Sequence, residues 1–141
     1  MSGWRWAWQP AVVLTVWMDS WQMQCCGTPF AVGSEVEWTL RETSDRDFAA
    51  AVLGQDLADR LTHDEEHHGG LPEDAPITTG IVRSIRAASC AYAATPASTT
   101  MYPVAGSLVL TDRNTADGWE PETDDHKFVA YIVELDVTEN G

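Results

Sequence analysis

The stretch Phe128-Val-Ala-Tyr-Ile-Val-Glu-Leu-Asp-Val137 decides the fold class of this chain of 141 residues. Every second residue from position 129 to position 137 is apolar, whereas Glu134 and Asp136 lie between apolar neighbours. Successive side chains of a β-strand point to opposite faces, so a period of two predicts a strand with one face in the core. The expected apolar face consists of Val129, Tyr131, Val133, Leu135 and Val137.

Earlier segments carry the same kind of signal. Residues 35–40 alternate between apolar and polar, which predicts a half-buried strand. The apolar residues of this strand include Val36 and Trp38, and we expect them to share one core with the apolar face of the last strand. Other segments rich in β-branched residues are also predicted to be strands: residues 11–18, 77–86 and 104–111.

One helix is predicted between residues 44 and 61. Ser44 can cap it, and Asp45 and Asp47 lie in the first turn, where the helix dipole favours acidic side chains. Gly54 weakens the middle of this helix without ending it. Apolar residues recur at helical spacing: Phe48, Val52, Leu53, Leu57 and Leu61.

Several short strands with one helix predict a mainly β fold. The expected architecture is a small antiparallel barrel or roll, SH3-like or OB-like, with one inserted helix. Residues 11–141 are long enough to form a single globular domain around one core. Residues 1–10 are predicted to be a tail, in which Trp4, Trp6 and Trp8 alternate. This tail is either a strand edge that docks on a partner or an extension outside the domain.

A second informative stretch is Trp21-Gln-Met-Gln-Cys-Cys-Gly-Thr-Pro-Phe30, which combines two adjacent thiols, two aromatic rings and turn residues. An ordinary turn does not need this combination of residues, so we expect a specific site there. Gly27 and Pro29 predict a sharp turn directly after the second cysteine. Exposed aromatic rings beside such a turn suit recognition of a peptide or a small ligand. The candidate ligand-binding residues are Trp21, Cys25, Cys26 and Phe30.

This stretch continues through Val32-Gly33, Val36 and Trp38 and is followed downstream by Gly80-x-Val82-x-x-Ile85. The whole pattern resembles a small family of actinobacterial proteins of unknown function. The resemblance covers about residues 12–137 and leaves the tryptophan-rich tail outside. It implies a folded domain and brings no activity, cofactor or partner with it.

The chain is strongly acidic, with 22 acidic and 8 basic side chains and a net charge of −14. Such a surface repels phosphate backbones and anionic lipids, so neither nucleic acid nor a membrane is an expected partner. Three cysteines cannot all pair within one chain, and an odd count without a disulfide framework indicates a reducing compartment. We therefore expect a cytoplasmic protein whose partner is another protein or a small ligand.

The two adjacent cysteines leave three possibilities open. One thiol packs in the core while the other faces solvent, or the pair forms a vicinal disulfide or has a redox role, or both bind a metal. In the third case zinc is the expected ion, since thiolates and imidazoles are its preferred ligands. Neighbouring side chains at a turn seldom share the same burial, so we expect one exposed and one packed thiol. The candidate metal ligands are Cys25, Cys26, His63, His67 and His68.

Residues His63-Asp-Glu-Glu66-His67 match the His-x-x-Glu-His arrangement and resemble the insulin-degrading class of metallopeptidases over five residues. On a helix, His63 and His67 would lie one turn apart and bind zinc, and Glu66 would activate the bound water. Those enzymes need a further acidic ligand from a second long helix, which this sequence does not predict. A binding module without a cofactor is therefore the primary prediction, and a zinc-binding protein or zinc-dependent hydrolase is the alternative.

Overall fold

The computed structural model of the protein describes residues 12–67, 71–72 and 74–140. The predicted tail and the candidate ligand His68 lie outside the described residues. The helices are α1 (Ser20–Cys26), α2 (Arg46–Leu53) and α3 (Gln55–Ala58). The strands are β1 (Val13–Asp19), β2 (Phe30–Ala31), β3 (Glu35–Glu42), β4 (His63–Glu65), β5 (Ile77–Cys90), β6 (Tyr92–Ala94), β7 (Met101–Pro103), β8 (Val109–Arg113), β9 (Thr115–Ala116) and β10 (Lys127–Asn140).

Five strands close into a barrel in the order β10-β1-β4-β3-β5, and pairing between β5 and β10 completes the ring. This confirms the predicted fold class, a mainly β protein built on a small barrel. The barrel pairings are antiparallel except that of β1 with β4, which is parallel. Strand β8 pairs with the second half of β5, beside the ring.

Two apolar clusters lie on opposite faces of the barrel wall. The inner cluster takes alternate residues of the strands, such as Val16 and Val133, and the partly buried Val36 and Trp38 pack against it. This confirms the single core predicted for the strand at residues 35–40 and the last strand. The outer cluster includes Trp17 and the buried residues of α2 and α3. Helices α2 and α3 therefore cover one outer face of the barrel, whereas Met23 of α1 belongs to the inner cluster.

Strand β10 differs from its predicted pattern at one end. Its register with β5 shifts between Phe128 and Ala130, and such a bulge turns the following side chains to the other face. Phe128 consequently joins the inner cluster and Val129 the outer one. Assigning Val129 to the same face as Tyr131 was therefore wrong.

The predicted helix between residues 44 and 61 is two helices. Gly54 adopts a positive φ of 84°, a conformation that ends α2 and that glycine reaches without steric cost. Asp45 caps α2 by accepting the N–H of Phe48 at 3.1 Å, the role predicted for Ser44. The remaining helix, α1, which comes first in the chain, was not predicted. None of the helices within the described residues is long and apolar enough to cross a membrane.

Candidate functional site

A cleft lies beside β3 because β4 is only three residues long. Strand β4 pairs with residues 40–42 of β3, and one further backbone bond joins the N–H of Glu66 to the carbonyl of Thr39 at 3.0 Å. Beyond that bond, no strand of the described residues flanks residues 35–38 on this side, although β5 pairs with them on the other. The space left there is part of a cavity of about 620 Å³.

The cavity is lined by apolar and polar side chains in similar measure. Phe30 and Trp38 meet edge to face, with ring centroids 5.0 Å apart, a favoured geometry for aromatic pairs. Residues 26–30, from the last residue of α1 to the first residue of β2, line the cavity on another side. The apolar lining side chains are Met18, Met23, Phe30, Val36 and Trp38.

The end of α1 depends on Gly27, whose N–H donates to the carbonyl of Met23 at 3.3 Å. A Cβ atom at Gly27 would lie 2.5 Å from Sδ and 2.7 Å from Cα of Met23. No other residue fits this approach without moving the backbone. The chain leaves α1 at Gly27 with an extended backbone (φ −75°, ψ 146°), so a helix end stands where a sharp turn was predicted, and the segment that follows α1 runs along the cavity.

The four candidate ligand-binding residues do not all reach the cavity. Cys26 and Phe30 line it, whereas Trp21, which is 51% exposed, and Cys25 are not among the lining side chains. His67, a candidate from a different part of the sequence, also lines the cavity. The structure therefore brings part of the Trp21–Phe30 segment together with one histidine of the His63–His68 segment.

Cys25 and Cys26 are joined in a vicinal disulfide, which was the second of the three possibilities. Both residues are exposed, so the expectation that one thiol packs in the core was wrong. The reason is the orientation of α1, which buries its first turn through Gln22 and Met23 and presents its last turn to solvent. The remaining cysteine, Cys90, is a buried free thiol, and its burial raises its pKa.

The segment that begins at His63 is a strand, so the predicted helical arrangement of His63, Glu66 and His67 is wrong. Strand β4 pairs with β1 on one side and with β3 on the other, and these pairings hold the backbone extended. Two residues four positions apart on a strand are separated by about 13 Å, compared with one helical turn of about 5 Å. Within the described ranges, no group of three or more His, Cys, Asp or Glu side chains is arranged to hold a metal ion.

His67 instead forms a tight polar pair with Glu65. Its Nδ1 lies 2.6 and 2.8 Å from the two carboxylate oxygens of Glu65, and its Nε2 lies 3.1 Å from the carbonyl oxygen of Gln22. A carbonyl only accepts hydrogen bonds, so Nε2 is the donor in its contact with Gln22. Burial raises the pKa of Glu65, and its contact with His67 partly opposes that increase.

The carboxylates of Asp64 and Glu66 lie on the opposite face of this segment from Glu65 and His67, and their contacts fix its position. Asp64 accepts hydrogen bonds from the N–H and the hydroxyl of Ser44 at 3.1 and 2.9 Å. Arg41 lies 3.7 Å from both Asp64 and Glu66. Asp19, at the end of β1, has a raised pKa because burial opposes its charge and because the charges of Asp64 and Glu66 are close. These groups position the segment from which Glu65 and His67 reach the cavity.

Sequence reasoning missed Gln22 and Glu65, although both are almost completely buried. A glutamate in a run of charged residues is typical of a solvated surface, and nothing local distinguishes this one. Gln22 follows Trp21, and only the aromatic side chain of this pair was predicted to be part of the site. Only the pairing of β4 with distant strands determines which polar side chains face inward.

The model of a protein family described as a family of unknown function (DUF6578) matches residues 12–137 of the chain. This match agrees with the extent of the resemblance found in the sequence, and an actinobacterial origin stays a prediction. A search of curated proteins and a search of solved structures each found no match. The function must therefore be argued from the site itself.

Proposed function

The chain belongs to the DUF6578 family of unknown function, and we propose that it is a binding module whose ligand occupies the cavity beside β3. The observation that carries this proposal is the composition of the lining. Apolar side chains such as Phe30 and Trp38 lie there beside a polar pair, the buried Glu65 with the partly exposed His67. A concave apolar surface of several hundred Å³ with a few oriented polar groups is typical of ligand sites.

The burial of Glu65 supports the same proposal. This side chain is 5% exposed, and an apolar residue of similar volume would be less costly at such a position. The carboxylate orients His67 and lines the cavity. A polar pair at the wall of an open cleft can form directional hydrogen bonds to a ligand. Packing of the fold alone does not require such a pair.

The cavity can be tested with Nile red, a neutral dye whose fluorescence rises in apolar surroundings. We expect saturable binding to the wild-type chain. In a Thr28→Trp variant a large exposed side chain at the lining would obstruct the cavity, whereas Thr100→Trp makes the same change at an exposed position outside it. Binding should weaken about tenfold or more in Thr28→Trp and stay unchanged in Thr100→Trp. Absence of binding, or equal affinity in both variants, would contradict the proposal.

A further inference from the structure

We propose that the occupant of the cavity is an extended basic peptide segment that pairs with the open edge of β3 as an added strand. This inference rests on the proposed binding function and names the class of ligand. It is carried by two independent observations, the direction of the backbone groups of β3 and the charge of the lining.

The first observation begins with the side of β3 that is already paired. The N–H of Val82 in β5 donates to the carbonyl of Ser34, immediately before β3, at 2.9 Å. In an antiparallel ladder, residues that exchange hydrogen bonds with one neighbour recur at every second position. Val36 and Trp38 lie two and four positions after Ser34, so their backbone N–H and carbonyl groups also face β5. Their partners in the register are Gly80 and Thr78.

The intervening residues face the other side. Thr39 shows this directly, because its carbonyl accepts the N–H of Glu66 from the β4 side. Glu35 and Glu37 share the phase of Thr39, so their N–H and carbonyl groups point in the same direction. Within the described residues no strand pairs with them there. Both residues belong to the lining of the cavity.

An unpaired strand edge is a template for another extended chain. The open part of β3 covers residues 35–38, which corresponds to about 13 Å of strand. A segment of four or five residues would lie along the line of β4 and extend it past Glu66. The side chains on one of its faces would contact Phe30 and Trp38, and those on the other would lie beside the exposed carboxylates of Glu35 and Glu37.

The second observation is the charge of the lining. It contains Glu35, Glu37 and Glu65, and neither lysine nor arginine occurs in the part formed by the described residues. The chain as a whole carries −14. A second copy of β3 would place its own glutamates opposite these, and like charges directly opposite each other destabilise a sheet. Lysine or arginine at alternate positions of the segment would instead complement the edge.

The probe is a short peptide, acetyl-Lys-Val-Lys-Val-Lys-amide, titrated into the full chain and followed by calorimetry. We expect it to bind, and we expect its counterpart with glutamate in place of lysine to bind about tenfold more weakly or not at all. Equal affinity for the two peptides would overturn the assignment of a basic segment.

Strand addition has a second signature, because only alternate N–H groups of an added strand face its neighbour. One version of the peptide carries N-methyl groups on its lysines, and another carries them on its valines. We expect one version to lose about tenfold or more in affinity while the other keeps most of it. If both versions bind equally well, the segment is held by its charge alone and is not an added strand.

Variants of Glu37 test the edge from the side of the protein. Glu37→Pro removes the N–H that faces the cavity and keeps the pairing with β5, since proline is compatible with an edge strand at such a position. Glu37→Gln removes only the charge. The peptide should lose more affinity in Glu37→Pro than in Glu37→Gln, and near-ultraviolet circular dichroism shows whether each variant is folded. Equal losses in two folded variants would contradict pairing at Glu37, and the N-methylated peptides decide the matter if Glu37→Pro fails to fold.

The outcome for the wild-type chain separates this inference from the function on which it rests. Binding of Nile red without binding of the basic peptide would mean that the cavity takes a small molecule, so the inference would be wrong and the proposed function would stand. Failure of Nile red to bind would contradict the proposed function itself.

Discussion

Gln22 and His67 are joined by two hydrogen bonds. The side-chain Oε1 of Gln22 accepts the backbone N–H of His67 at 3.2 Å, and the backbone carbonyl of Gln22 lies 3.1 Å from Nε2 of the same histidine. Gln22 is in α1 and is only 1% exposed, and His67 follows β4. These bonds hold the helix against the segment that carries Glu65, so Gln22 shapes the cavity without lining it.

A Gln22→Leu variant should therefore lose about 1–3 kcal/mol of unfolding free energy, because the backbone N–H of His67 loses its acceptor and Glu66 loses a donor. Urea unfolding at neutral pH measures this loss. The matched control is Gln55→Leu, at an exposed position in α3, where we expect a change within about 0.5 kcal/mol. Similar losses in the two variants would mean that the hydrogen bonds of the buried Gln22 amide do not add to the unfolding free energy.

Trp38 is predicted to stabilise the barrel through its contact with Phe30. Trp38 packs against the inner cluster but remains partly exposed, so Trp38→Ala should cost about 2–4 kcal/mol, somewhat less than a fully buried tryptophan. Trp119 is 69% exposed, and Trp119→Ala should change stability by about 0.5 kcal/mol or less. Thermal unfolding of both variants checks the difference, and equal melting temperatures would refute the inward assignment of Trp38.

The raised pKa of Asp19 predicts a pH-dependent effect of its neutralisation. Burial, together with the charges of Asp64 and Glu66, raises the folded-state pKa above the ordinary value of 3.8. The ionised form is thus disfavoured on folding, and stability is lost as the pH rises through the folded-state pKa. Asp19→Asn keeps an oxygen for the indole N–H of Trp17, which donates to Asp19 at 2.8 Å, and removes the charge.

We therefore expect Asp19→Asn to be more stable than the wild type at neutral pH, and the gain to disappear below a pH of about 3.8. Urea unfolding across this pH range gives the comparison. Asp59→Asn, at an exposed aspartate, serves as the control and should show no such gain. A gain for Asp19→Asn that persists unchanged in acid would exclude its charge as the cause.

The three cysteines should differ in reactivity. Cys25 and Cys26 form a disulfide, and Cys90 is buried, so the native protein should take up no iodoacetamide. After reduction of the folded protein, the two adjacent cysteines should be labelled together because both are exposed. Cys90 should react only after unfolding. Peptide mass analysis measures each site, and labelling of Cys90 in the folded protein would contradict its burial.

The parts of the fold that could be predicted from the sequence are the strands with a clear period of two. In residues 35–40 and 128–137, apolar and polar residues alternate over several positions. The pattern matches the structure because one face of each strand packs in the inner cluster. Gly54 shows the limit of this approach, because a single glycine inside a helical pattern either weakens the helix or ends it. Its positive φ in the structure decides between these outcomes.

The candidate site could be predicted only in part. The segment after Trp21 contains two cavity-lining residues, Cys26 and Phe30, and its unusual composition pointed to a site there. Strand β4 has no apolar residue, so its burial follows from β1 and β3, which are remote in the sequence. The cavity exists because β4 is shorter than β3, and a difference in strand length that arises from tertiary pairing leaves no local pattern.

The barrel is closed by its first and last strands, with Val13 of β1 opposite Asp136 of β10. A contact between positions so far apart in the chain is entropically costly to form, and folds that depend on such contacts assemble slowly. During synthesis on a ribosome, β1 emerges long before β10 and must remain without this partner strand until β10 has emerged. Since Met18 of β1 lines the cavity, a nascent chain acquires this cavity only after β10 has been synthesised and has paired with β1.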